Sequence, residues 1–205
     1  MNPSIREYKT KDIISFAKTE NEYGGLSNMA PGYSLFINEV NIQSSEILYQ
    51  ACKFPLFPSI QKEIIETKNP MDAKTVSRKY NQFTRQDWDS VKFKVMKWCL
   101  EVKLIQNFDI FSKLLLNTGG KTIVEFSKKD DTWGAIPTSP NLLKGKNALG
   151  RLLMELRENI RLGRITKESV ILQPEIKAFL LFDYQIEAVH NEDYFINDLD
   201  DIYAY

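Results

Sequence analysis

Three side chains that could do chemistry together are Glu46, Gln50 and Lys53, separated by four and three residues. At 3.6 residues per turn they leave one side of a helix, with Leu48, Ala51 and Cys52 spread over the other sides. Tyr49 falls at the edge of that stripe. Glu46 belongs to the first turn, where the helix dipole favours an ionised carboxylate. A carboxylate and an amine so placed could orient a sugar hydroxyl, activate water or attack a carbonyl-like carbon. The same spacing also describes a solvated stripe of salt-bridging side chains, and spacing alone does not separate the two. A second polar cluster, Asp130-Asp131-Thr132-Trp133-Gly134, has a similar pair of readings. It is a surface turn with Trp133 tucked beneath it, or a site loop on a rigid scaffold.

Other chemistries are excluded by what the chain lacks. Its one histidine, His190, lies within an acidic C-terminal stretch, so no Ser-His-Asp or Cys-His relay can be assembled in the core. Two distant cysteines and one histidine cannot make a zinc site. Gly119-Gly120 is not followed by the Gly-Lys-Ser/Thr of a phosphate-binding loop, and no GxGxxG follows a strand. Carboxylates, lysines, amides and aromatics remain, and the chemistry is expected to need neither metal nor cofactor.

The elements that must position these groups follow from periodicity and breakers. Ser44-Ser45 caps a helix from about 46 to 54, stopped by Pro55. Asn69-Pro70 opens another helix, to about Lys79. Asp87 caps the longest one, whose apolar residues Trp88, Val91, Val95, Cys99, Val102 and Ile105 recur at threes and fours. Pro58-Ser59 opens a short helix, and further helices are expected at about 110–116 and 149–162. Strands are expected at 13–16 and 122–126, with a hairpin of 33–37 and 40–42 around Asn38-Glu39. Residues 127–146 read as a loop rich in Gly, Pro, Lys and Asp. No βαβ alternation is present, so the expected class is α+β, a predominantly helical single domain with a few short strands. After about Ile165 the pattern changes to a C-terminal extension, residues 166–205, ending in an acidic tail.

The chain of 205 residues carries 27 Lys and Arg against 27 Asp and Glu. Seven of the acids lie between Asp183 and Tyr205, where there is no Lys or Arg, so the body has an excess of seven positive charges. A basic body suits a phosphate-bearing ligand or a nucleic acid, though a solvated surface beside an acidic tail fits as well. No run approaches a membrane span, and the N-terminus lacks the apolar core of a signal peptide. Cys52 and Cys99 sit in apolar patterns and read as reduced thiols of a cytoplasmic protein.

Taken in order, the residues resemble the NADAR family. The series includes Tyr23-Gly24-Gly25-Leu26-Ser27-Asn28, then Ser45-Glu46, Tyr49-Gln50-Ala51 and Lys53-Phe54. It continues through Ala73-Lys74, Asp87-Trp88, Lys103 and Gln106-Asn107. It closes with Val124-Glu125, Asp130, Trp133-Gly134, Asn147, Leu149-Gly150 and Arg157. The resemblance spans about Phe16 to Arg161 and identifies residues 1–165 as a catalytic domain of that family. It implies a glycosidase-like hydrolase. One branch of the family resembles enzymes that cleave phosphoribosylamino-pyrimidine intermediates of riboflavin synthesis. Another is similar to antitoxins that remove ADP-ribose from guanine in DNA, and the wording around Leu48–Pro55 and Gly150–Arg157 looks closer to it.

Both substrate classes join ribose C1 to an exocyclic amine, a bond that can open the sugar to an imine. On that basis Glu46 is expected to hold ribose hydroxyls and direct protons, with Lys53 engaging C1. Direct water attack, with Lys53 only an electrostatic clamp, is the rival route. Ser27, Asn28 and Asn147 are expected to bind phosphate or ribose, Trp133 to stack on a base or sugar, and Asp130 to bind sugar or position Trp133. Tyr49, Gln50 and Gly134 complete the expected substrate contacts, Gly134 through backbone geometry. The expected partners are ADP-ribosylated guanine in DNA or a small ribosylated nucleobase, and a cognate DNA ADP-ribosyltransferase toxin, with no membrane. A module that binds ADP-ribose or NAD without turnover is a third reading.

Overall fold

Chain order and polarity pattern translate closely into elements in the computed structural model, which describes residues 4–191. The strands are β1 (Arg6–Lys9), β2 (Ile13–Phe16), β3 (Leu35–Ile37) and β4 (Val40–Ile42). Then come the helices α1 (Ser45–Ala51), α2 (Pro58–Ile65), α3 (Pro70–Lys79), α4 (Trp88–Gln106) and α5 (Phe108–Asn117). After them follow β5 (Thr122–Glu125), β6 (Ile136–Ser139), β7 (Leu142–Gly145), α6 (Ala148–Arg161), β8 (Leu180–Leu181) and β9 (Tyr184–Gln185). The class is α+β and mostly helical, as the sequence predicts. Among the described residues no helix is long and apolar enough to cross a membrane.

The chain forms two compact units. The first comprises, among the described residues, 4–30 and 109–165. In it β2 and β5 pair in parallel, Ile14 opposite Ile123 and Phe16 opposite Glu125. A three-stranded antiparallel sheet has the order β1-β7-β6. Tyr8, Val124, Ala135 and Leu143 form a buried cluster, with Ile13 and Phe126 packed against it. Helix α6 lies against β5, so closely that a Cβ on Gly150 would stand 2.2 Å from the carbonyl oxygen of Ile123. Only glycine fits there.

The expected loop at 127–146 thus contains two strands, and a third, β1, is added near the N-terminus. Their polarity hides them. In β1 only Tyr8 is buried, and three of the four residues of β6 are exposed, so neither has the alternation that marks a half-buried strand.

The second unit comprises, among the described residues, 31–108 and 166–191. Its hairpin β3–β4 turns through Asn38 and Glu39, both at positive φ (49° and 62°), as a tight two-residue connection requires. Helix α1 packs against α2, α3 and α4 and is buried along its whole length. Residues 179–182 are tied to the helices of this unit. Phe179 meets the buried Trp98 ring edge-on, with centroids 4.9 Å apart. Gln61 of α2 donates to the Leu180 carbonyl at 2.9 Å and accepts from the Phe182 amide at 2.8 Å. Most of the acidic tail, from Glu192, lies outside the described residues.

Candidate active site

Helix α1 owes its start to Ser44, which is extended (φ −164°) and accepts from the Ile47 amide at 3.3 Å. Two residues later Glu46 is in the first turn with 4 % of its surface exposed. A buried carboxylate needs partners, and it finds them on two helices. Gln50 Nε2, one turn on, donates to Glu46 Oε1 at 2.6 Å. Lys74 of α3 brings its Nζ to 3.7 Å from the same oxygen. The other end of the Gln50 amide, Oε1, is buried without a hydrogen-bond partner. Native structures rarely bury a lone acceptor, and those that persist are commonly found at functional sites.

Lys53 does not lie within the helix. The sequence predicts a helix to residue 54, but α1 ends at Ala51 with Cys52 as its cap. A tighter turn follows, in which the Lys53 amide donates to the Gln50 carbonyl at 3.3 Å and that of Phe54 to Ala51 at 3.0 Å. Pro55 removes the next donor and cannot extend the ladder. The Lys53 carbonyl in turn accepts from the Arg85 amide at 2.8 Å, tying the turn to the connection between α3 and α4. Arg85 gets its orientation from Asp87, whose carboxylate takes two of its nitrogens at 2.6 and 3.0 Å. Asp87 stands at the cap position of α4, as expected, but its side chain makes no cap hydrogen bond.

The Lys53 amine donates to Ser77 Oγ of α3 at 3.2 Å and sits 5.6 Å from the centre of the Trp88 ring. Trp88 leans on Tyr49, with centroids 5.0 Å apart. Burial drives the pKa of Lys53 down to about 8 from an ordinary 10.5. Glu46 opposes that shift, while Lys74 and Arg78 reinforce it. The result is an amine that is partly neutral near pH 7, close to a held carboxylate. That pairing suits covalent attack on a carbon bonded to nitrogen. Beneath it Cys52 and Cys99 are free and buried, and burial raises the Cys99 thiol well above its usual range. Both thiols behave as core hydrophobes.

The other expected residues belong to the first unit. Ser27 and Asn28 are each 6 % exposed and follow the turn at Gly24–Leu26. Ser27 Oγ accepts from the Met29 amide at 3.1 Å. Asp130 is exposed, and its Oδ1 accepts from the amides of Thr132 and Trp133, both at 2.9 Å. These bonds tie Asp130 to the backbone of Trp133. The carbonyls of Thr132, Trp133 and Gly134 accept from Ala148, Leu149 and Asn147, each at 3.0 Å. This loop therefore satisfies the first amides of α6. A Cβ on Gly134 would come within 2.5 Å of the Glu125 carbonyl oxygen.

Asn147 departs from its expected role of binding phosphate or ribose. It is fully buried in left-handed backbone (φ 49°). Its Nδ2 donates to the Ile123 carbonyl at 2.8 Å and its Oδ1 accepts from the Glu125 amide at 3.0 Å. It staples α6 to β5. Lys74, Ser77 and Trp88 have roles at Lys53 and Glu46 that spacing within α1 could not disclose. Lys74 and Trp88 are signalled by the family resemblance, and Lys74 and Ser77 by the run 74, 77, 78 on one face of α3.

Comparison with known proteins places the chain in a family. The NADAR domain matches residues 15–161. The N-glycosidase YbiA of Escherichia coli is 36% identical over 160 residues, covering 78% of this chain and 96% of that one. A riboflavin biosynthesis protein of Vibrio vulnificus is 32% identical over 157 residues, covering 77% of this chain and 41% of its own length. The NMR structure of E. coli YbiA has a TM-score of 0.64 at 34% identity, covering 77% of this chain and 89% of that one.

Proposed function

The chain belongs to the NADAR domain family and is an N-glycosidase-type hydrolase; from that premise we propose that it removes ADP-ribose from the exocyclic amine of guanine in DNA, through an imine at Lys53. The observation that carries this reading is the amine of Lys53, brought down to about 8 by burial and held at Ser77, with the Glu46 carboxylate fixed by Gln50 and Lys74. An exocyclic nitrogen can donate its lone pair into the bond to C1 as the C1–O bond to the ring oxygen breaks and that oxygen takes a proton, which opens the sugar to an iminium. The neutral Lys53 amine then adds to C1. The guanine amine leaves with a proton, and the lysine imine remains. Water adds to C1, the C1–Nζ bond breaks, and the sugar closes again. The balance is one water consumed, with guanine's amine and a C1 hydroxyl formed. Glu46 carries the protons between ring oxygen, leaving amine and water. Gln50 Oε1, buried and unpartnered, is the acceptor offered to a ribose hydroxyl. Trp88, next to Nζ, favours the cationic imine through its ring face.

The DNA-linked substrate is supported by the seven-charge excess of the body outside the tail. The phosphoribosylamino-pyrimidine of riboflavin synthesis is the second reading, favoured by the Vibrio relative's name. A module that binds without turnover gives way to the enzyme class. Incubation with an oligonucleotide carrying ADP-ribosylated guanine, and separately with the pyrimidine, decides between the substrates. Release of free ADP-ribose is expected from the first. Turnover of the pyrimidine alone overturns the DNA assignment. A cognate ADP-ribosyltransferase, as the source of such DNA, belongs to the same proposal.

A further inference from the structure

Helix α3 presents Lys74, Ser77 and Arg78 at spacings of three and four, on one face. Two of them hold the two reacting groups of α1 and its following turn. Lys74 Nζ stands 3.7 Å from Glu46 Oε1, and Ser77 Oγ receives the Lys53 amine at 3.2 Å. The carboxylate is 5 % exposed and the Lys74 side chain 35 %, so this ion pair is formed at the margin of solvent, around a buried anion. We infer that Lys74 is a positioning residue for the reaction: by holding Glu46 from α3 it keeps that carboxylate from closing an ion pair with Lys53, whose amine is left to Ser77. The inference rests on the reading that Lys53 acts as a neutral amine.

The physical case has two parts. Glu46 in the first turn of α1 and Lys53 in its exit turn are near enough for their charges to act on one another. A lysine paired with a buried carboxylate is protonated and cannot attack carbon. Lys74 neutralises Glu46 and at the same time repels a proton on Lys53, so both effects of one side chain favour the free amine. The groups facing Lys53 are Glu46 from α1, Lys74, Ser77 and Arg78 from α3, and the Trp88 ring from α4. Arg78 is exposed and its influence is screened by water. Lys74 is the cation in contact with the carboxylate. Its role is to hold the carboxylate whose charge acts on Lys53, so that the two do not close into an ion pair.

The test uses the full chain with Lys74→Met, Lys74→Gln and Lys74→Arg. Two quantities are read: kcat/KM against pH, and the titration of Lys53 by NMR of lysine labelled with carbon-13 at Cε, with no substrate present. In the Met and Gln variants the Lys53 midpoint is expected to rise by roughly one pH unit, which costs about tenfold in kcat/KM near pH 7 and little near pH 9.5. Lys74→Arg should keep the wild-type midpoint and rate. An unmoved midpoint overturns the inference, and so does a loss carried by a KM that rises equally at every pH, since that is the mark of a substrate contact. A shifted midpoint in a protein that turns over neither candidate substrate upholds the role of Lys74 and sinks the substrate assignment instead.

Discussion

Lys53 gives its side-chain nitrogen to Ser77 Oγ at 3.2 Å, across 24 residues of sequence, while Glu46 is held by Gln50 and Lys74. The amine and the carboxylate share a helix and its exit turn but have separate holders. If the amine bonds to C1, Lys53→Arg preserves charge and bulk yet cannot form an imine. Turnover should fall by about a thousandfold or more. Borohydride added during turnover of the wild type should leave a ribose adduct that mass spectrometry places on Lys53. No adduct, with Lys53→Arg still active, would establish the water-attack route.

The pH profile follows from the same amine. The reactive form is deprotonated, so the rate should climb as pH passes about 8, the Lys53 value, and level off above it. Near pH 7 about one molecule in ten carries the free amine, against about one in three thousand for an unperturbed lysine. An acid limb near 10, or none between 7 and 9, contradicts this assignment.

Stability should run against activity at this position. The folded pKa of Lys53 is lowered, so the folded chain binds fewer protons than the unfolded one between about 8 and 10.5. The cost of burying the charge is complete below about 8 and is relieved as pH rises toward 10.5. Lys53→Met should therefore raise unfolding stability near pH 7 by about 1–2 kcal/mol, allowing for partial exposure. Urea unfolding at pH 7 and at pH 10 should show the advantage shrinking.

Asn147→Ala should damage the fold and spare the chemistry. It removes the bonds to Ile123 and Glu125 and places a Cβ-branchless but unassisted residue at φ 49°. The expected loss is about 2–4 kcal/mol. At temperatures where the variant remains folded, KM should match the wild type. A large KM change without loss of stability would return Asn147 to the ligand-binding group.

The contact between Glu46 and Gln50 was legible because both lie on one regular helix, where spacing dictates direction. Helix α6 was legible for the same reason, expected at 149–162 and found as Ala148–Arg161. Lys53 was legible in identity but not in setting, because the exit turn of α1 is fixed by Arg85 and Pro55 rather than by helical period. Lys74 and Ser77 read as an ordinary polar face of α3. Only packing of α3 on α1 turns that face toward the carboxylate and the amine. Asn147 misled because a polar residue before a helix is common both in ligand sites and in caps.

The contact between Trp98 and Phe179 bears on how such chains diverge. Phe179 lies beyond the span shared with the family, yet it covers a tryptophan inside that span. A lineage that shortened its C-terminus to the shared boundary would uncover the indole, and selection would then favour a smaller or more polar residue at position 98. Tail length and the residue at 98 should therefore change together among relatives, so a terminal appendage would leave its trace in the interior of the shared domain.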